Sequence, residues 1–108
     1  MTYQPTPIEI ERRNRIKLSL YAYAYEFEGD SLVSDGEYDE LSLKINKSVK
    51  TGNKKLDTFF NREFDPHTGM WIRKHPELNK LKALYFMHKQ DYNGKYIRIG
   101  AEIYVRAE

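Results

Sequence analysis

The sequence predicts an α+β domain: an N-terminal antiparallel helical hairpin, further helices, and a small antiparallel sheet at the C-terminal end. Three observations predict it. Two capping boxes, Thr6-Pro7-Ile8-Glu9 and Ser34-Asp35-Gly36-Glu37, each open a segment of helical apolar periodicity. The turn between those segments is short, which favours antiparallel neighbours. Near the end, Ile97, Ile99, Ala101, Ile103 and Val105 alternate with Arg98, Gly100, Glu102, Tyr104 and Arg106, the period of a strand.

The first helix starts at Thr6, whose hydroxyl caps it, with Pro7 at the position where a missing N–H costs nothing. It is expected to run to Glu28, where Gly29 supplies the left-handed residue that ends it. Ile16, Leu20, Tyr23 and Phe27 recur at helical spacing and are expected inside, with Arg12, Arg13, Arg15 and Lys17 toward solvent. Tyr21, Tyr23 and Tyr25 also recur at a period of two, but the helical pattern on both sides overrides that.

The second helix carries Tyr38, Leu41 and Ile45 and is expected to reach the break at Thr51-Gly52-Asn53. Residues 54–64 read as a third helix with Leu56, Phe59, Phe60 and Phe64 inward. Asp65-Pro66-His67-Thr68-Gly69 is a turn, since Pro disfavours helix in the residue before it. Met70 to Lys74 is expected to be a strand and the partner of the C-terminal one. From Pro76, Leu78, Leu81, Leu84 and Tyr85 define a last helix that stops by Asn93-Gly94. The final strand is either continuous or bent near Gly100-Ala101.

A length of 108 residues suits a single domain, 1–108, and a chain of this size buries roughly two-thirds of its unfolded surface. With 40% apolar and 31% charged residues and 15 aromatics, the composition is that of a folded protein rather than a disordered one. The absence of cysteine excludes disulfides, thiolate zinc sites, iron–sulfur clusters and a cysteine nucleophile. Met1 to Pro5 carries no basic n-region, and no apolar run approaches the ~18 residues of a membrane span, so a cytoplasmic location is expected. The net charge of +2 divides unevenly. Residues 1–50 hold 7 basic and 9 acidic side chains, and residues 51–108 hold 11 and 7. The halves therefore differ in sign, −2 against +4.

On a helix opening at Ser34, Asp35, Tyr38 and Asp39 stand at i, i+3 and i+4 and share one face. Tyr25, near the end of the preceding helix, faces the same side across the turn. Tyrosine rings beside carboxyl groups suit a delocalised cation. A phosphate gains little at this helix N-terminus, because Asp35, Glu37 and Asp39 already place acidic groups there. The same residues also fit a structural role, with Ser34, Asp35 and Glu37 as a helix start and Tyr38 as the first residue of an apolar stripe.

Tyr25 together with the run S-D-x-E-Y-D-x-L at Ser34 to Leu41 resembles the small N-terminal helical domain, Ia, of bacterial NAD-dependent DNA ligases, over about residues 8–48. In that family the domain closes over the nicotinamide mononucleotide half of NAD. The resemblance implies that Tyr25 contacts the nicotinamide, that Asp35, Tyr38 and Asp39 surround that half of the cofactor, and that NAD or nicotinamide mononucleotide is the ligand. One position departs from the pattern: the family's His after the aromatic is Glu26 here. A carboxylate facing the nucleotide phosphate replaces attraction by repulsion, about 1–4 kcal/mol at ~4 Å depending on the dielectric. After residue 48 no adenylation domain follows and no lysine sits in a K-x-D-G context, Lys89-Gln90-Asp91-Tyr92 lacking the glycine. Ligation is thus excluded, and no catalytic residue is assigned.

Three functional readings remain open. The first is a non-catalytic binding module that recognises a nicotinamide nucleotide or a similar cationic aromatic group through Tyr25, Asp35, Tyr38 and Asp39. The second is a protein-interaction or inhibitor module of the accessory or phage type, with the hairpin as scaffold and the acidic, aromatic face receiving a partner's Arg or Lys. The third is nucleic-acid binding by the basic half, with Trp71 for stacking and Arg73, Lys74, Lys95 and Arg98 for phosphates. His67, His75 and His88 lack the spacing of a metal site, so none is assigned.

Overall fold

The computed structural model describes residues 4–90, 96–98 and 104–106. The first capping box forms as its residues dictate. Thr6 Oγ1 accepts from the Glu9 backbone N–H at 3.2 Å, and helix α1 spans Pro7–Glu28. Gly29 ends it at φ 63°, a left-handed conformation that costs glycine nothing, and Asp30 N–H returns to the Ala24 carbonyl at 3.0 Å. Ser34 caps α2, Asp35–Lys44, by accepting from Glu37 N–H at 3.1 Å. Asn53 caps α3, Lys54–Glu63, by accepting from Leu56 N–H at 3.1 Å. In the turn that follows, Asp65 Oδ1 accepts from His67 N–H at 2.9 Å. Helix α4 spans Leu78–Gln90.

Helix α1 is the axis of the molecule. Every residue from Leu18 to Ala24 is buried, so the helix is enclosed around its circumference and not along one stripe. Helices α2 and α4 and the 70–74 segment pack on it. Between them lies a mostly aromatic core, in which Trp71 stands 5.1 Å from Phe64, 5.4 Å from Phe60 and 6.0 Å from Phe59, centroid to centroid. None of the described helices is long and apolar enough to cross a membrane.

The α+β class is overturned, because the packed body is all-helical. Met70–Lys74, expected as a strand, is a single 3-10 helix, tied by Ile72 N–H to the Gly69 carbonyl and His75 N–H to the Ile72 carbonyl. Its burial explains why. Trp71 and Ile72 are both buried, Arg73 and Lys74 both exposed, and His75 buried again. A strand on a core alternates residue by residue, whereas a pair in, a pair out and one in is a helical period. The extended backbone that remains among the described residues is two three-residue strands, β1 Tyr96–Arg98 and β2 Tyr104–Arg106, paired antiparallel with Ile97 opposite Val105. Two strands this short make a hairpin against α4 and not the sheet layer of an α+β fold, and their pairing rules out one continuous strand over 97–105. The expected bend at Gly100-Ala101 and the stop at Asn93-Gly94 lie outside the described residues.

Two further expectations are corrected. Helix α2 ends at Lys44 instead of near residue 50. Arg15, assigned to solvent, is 4% exposed and is the tie that holds the released segment. Its Nε donates to Glu11 at 2.7 Å, one terminal nitrogen to Asp57 at 2.9 Å, and the other to the Asn46 and Val49 carbonyls at 2.8 and 3.0 Å. Glu11 also accepts from Asn46 N–H, and Thr51 donates its N–H and hydroxyl to Asp57. Residues 46–51 thus exchange helical hydrogen bonds for bonds to the buried Glu11, the half-buried Asp57 and a guanidinium, a network with excellent geometry that satisfies charges which are costly to bury alone. On α1, Leu20 and Tyr23 are inside as expected, while Phe27 is half exposed.

Candidate functional site

The turn from Gly29 to Ser34 folds α2 back beside the end of α1, and the 65–69 turn closes the third side. Between them lies a cleft of about 330 Å³. All four residues singled out from the sequence line it: Tyr25 from α1, and Asp35, Tyr38 and Asp39 from α2. The capping box makes this possible, because starting α2 at Asp35 aims the i, i+3, i+4 set at the α1 terminus.

The four differ in character. Tyr25 is 63% exposed, and Asp35 and Asp39 are also exposed, whereas Tyr38 is half-buried and joined to the core. Trp71 Nε1 donates to the Tyr38 hydroxyl at 3.3 Å. Burial raises the Tyr38 phenol above its ordinary value, against the hydrogen bonds that lower it, so the hydroxyl is neutral at pH 7. Tyr21, also in the wall, is pushed up to about 12, first by burial and then by Glu37. The phenols therefore add ring faces and dipoles to the cleft, and the carboxyl groups add its acidity.

Sequence reasoning passed over several residues of the wall. The 65–69 turn contributes His67, Thr68 and Gly69, brought here by the tertiary contacts of the segment that follows it, Trp71 with Tyr38 and Arg73 with Glu26. A Cβ on Gly69 would stand 3.6 Å from the Tyr38 hydroxyl and 3.9 Å from Glu26 Oε1, so the turn passes close over the cleft. Glu26 lines the cleft and is paired. Arg73 donates to its Oε2 from Nε at 3.2 Å and from a terminal nitrogen at 3.0 Å. The guanidinium offsets the negative charge that Glu26 brings to the cleft.

Among the described residues of the proposed nucleic-acid face, Trp71, Arg73 and Lys74 do not form one. Trp71 is 4% exposed and enclosed by phenylalanines, so it presents no ring for a base. Arg73 is engaged by Glu26, and Lys74 reaches Glu63 at 3.3 Å. Lys95 and the side chain of Arg98 lie outside the description. Among the described residues no three His, Asp or Glu side chains group to hold a metal ion. His75 instead accepts the Glu77 backbone N–H at the start of α4, and His88 is buried.

A second cavity, of about 890 Å³, lies between α1, the start of α3 and α4, and none of the residues assigned to a site from the sequence lines it. No protein-family model, no curated protein and no solved structure matches this chain.

Proposed function

We propose that the chain is a binding module whose acidic, tyrosine-lined cleft receives a cationic aromatic group, with the nicotinamide ring of an oxidised nicotinamide nucleotide as the ligand. The observation that carries this is the convergence of Tyr25, Asp35, Tyr38 and Asp39 on one cleft of about 330 Å³. That volume lies at the lower end of the range for small-molecule sites and suits one ring with its substituents. A positively charged ring is attracted to tyrosine faces and to the two aspartates, whereas the neutral reduced ring loses both attractions. The pairing of Glu26 with Arg73 also weakens the objection that Glu26 raises against the ligase Ia-like reading.

Calorimetry on the full chain with nicotinamide mononucleotide, NAD and the reduced cofactor tests the proposal. The oxidised forms are expected to bind several-fold more tightly than the reduced one. No heat from any of them at about 1 mM, a binding free energy of about −4 kcal/mol, would overturn it.

The exposure of Tyr25 supports a second reading, in which the cleft receives an Arg or Lys side chain of a protein partner. Under that reading, an arginine-bearing peptide shifts the Tyr25 and Asp39 resonances while the nucleotides leave them unmoved.

A further inference from the structure

The cavity of about 890 Å³ is separate from the cleft and falls in the size range of small-molecule sites. Ile16 of α1, Leu56 and Phe60 of α3, and Leu81, Leu84 and Met87 of α4 supply its apolar lining. Phe60, Leu81 and Leu84 are buried, and Ile16, Leu56 and Met87 half-buried. A partner helix, about 10 Å across, would gain little by lying over side chains that are already so covered. A slender, flexible chain that enters between the helices touches all of them.

Several polar groups in the lining have donors to spare, Arg12 and His75 among them, and the acidic Glu77 there is paired with Lys80 at 3.1 Å. The neighbouring Arg15 is committed to Glu11, Asp57 and two carbonyls, but Arg12, one turn earlier and exposed, has no acidic or carbonyl partner among the described residues. His75 accepts the Glu77 N–H on Nδ1, so in its neutral form the proton sits on Nε2. No described residue accepts that Nε2–H. A guanidinium and an imidazole N–H beside an apolar cavity together match a carboxylate on an apolar tail.

We infer that this cavity is a binding site for an aliphatic monocarboxylate of the fatty-acid class, the chain lying along Ile16, Leu56, Leu84 and Met87 and the carboxylate taken by Arg12 and the His75 Nε2–H. This site stands independently of the nucleotide reading of the cleft.

Dodecanoate, kept below its micellar concentration, is titrated into the full chain and followed by backbone amide resonances. Shifts clustered at residues 12–19, 53–60 and 75–87 are expected. Arg12→Gln, a surface change, is expected to weaken binding about threefold, and dodecanol, which lacks the charge, to bind at least as weakly as dodecanoate does to that variant. Three results would each overturn the inference: no shifts, shifts confined to residues 21–39, or dodecanol binding as well as dodecanoate. An unchanged affinity of the folded Arg12→Gln variant would do the same.

Discussion

The indole N–H of Trp71 donates to the hydroxyl of Tyr38 across 33 positions of sequence, and in doing so ties the wall of the cleft to the centre of the aromatic core. Tyr38 therefore both lines the cleft and holds the core. Replacing it by alanine would remove the ring and the hydrogen bond together. Tyr38→Phe keeps the ring and strands the indole N–H, an expected loss of about 1 kcal/mol in urea unfolding. If the cleft acts mainly through ring faces, the folded variant retains most of its affinity for nicotinamide mononucleotide in calorimetry.

Tyr25 and Asp39 separate binding from folding, because both are exposed. Tyr25→Leu is expected to change stability by less than about 0.5 kcal/mol. Loss of one cation–π contact is worth about 0.5–2 kcal/mol, a two- to thirtyfold weakening for the oxidised nucleotide. Asp39→Asn should weaken the oxidised form and leave the reduced form unchanged, as read by parallel titrations.

Arg15 is the opposite case, a residue remote from the cleft on which the fold depends. Arg15→Met leaves Glu11 and Asp57 facing each other without their cation, and its cost is expected at about 3–5 kcal/mol in denaturant unfolding. Arg15→Lys should recover only part of this. One ammonium cannot reproduce a planar fork that bonds two carboxylates and two carbonyls at once.

His75 predicts a pH dependence. Burial lowers its pKa from 6.5 to about 4 in the folded protein. Between those values the unfolded chain binds a proton that the native one does not, so stability is full above pH 6.5 and falls as pH drops toward 4. The loss is up to about 3 kcal/mol. Gln at position 75 cannot take up the proton and can still accept from Glu77 N–H, so His75→Gln should flatten this part of the profile. A further loss at lower pH is expected from Asp30, Asp57 and Glu77, whose carboxyls are all held below their ordinary values. For Asp57 the bonds from Thr51 and the charge of Arg15 outweigh the opposing effect of burial. These groups stabilise the fold above the unfolded carboxylate range and lose that contribution as they protonate. A stability curve that is flat from pH 7 to 4 would refute the assignment to His75.

Ser34→Ala removes the acceptor for Glu37 N–H and should cost about 1 kcal/mol. Amide hydrogen exchange is the sharper readout. Protection is expected to fall in the first turn of α2, where Asp35 and Asp39 are positioned, and to persist in α1.

Local chemistry made much of this molecule legible from the chain alone. Thr6, Ser34 and Gly29 mark helix ends because they satisfy backbone groups within three to five residues of themselves, and Asp65 satisfies one two residues on in its turn. The shared face of Asp35, Tyr38 and Asp39 follows from where α2 begins, and Tyr25 joins them because the connecting turn is short. Phe59, Phe60 and Phe64 are inward as their spacing requires.

What the sequence by itself determined, then, is what neighbouring residues settle between themselves: the caps, the turn, the inward phenylalanines of α3 and the acidic face. The tertiary structure alone decided the fold class, the length of α2 and the fate of Arg15. Met70–Lys74 is as compatible with a strand as with a helix until Trp71 and Ile72 must both enter one core, and the helical turn places them there. Arg15 carries a charge that belongs in water unless partners take up its hydrogen bonds, and beside the local Glu11 it is Asn46, Val49 and Asp57 that do so, from 31 to 42 residues away. Burial on that scale is a collective property, because each group's cost is set by partners that local sequence does not contain.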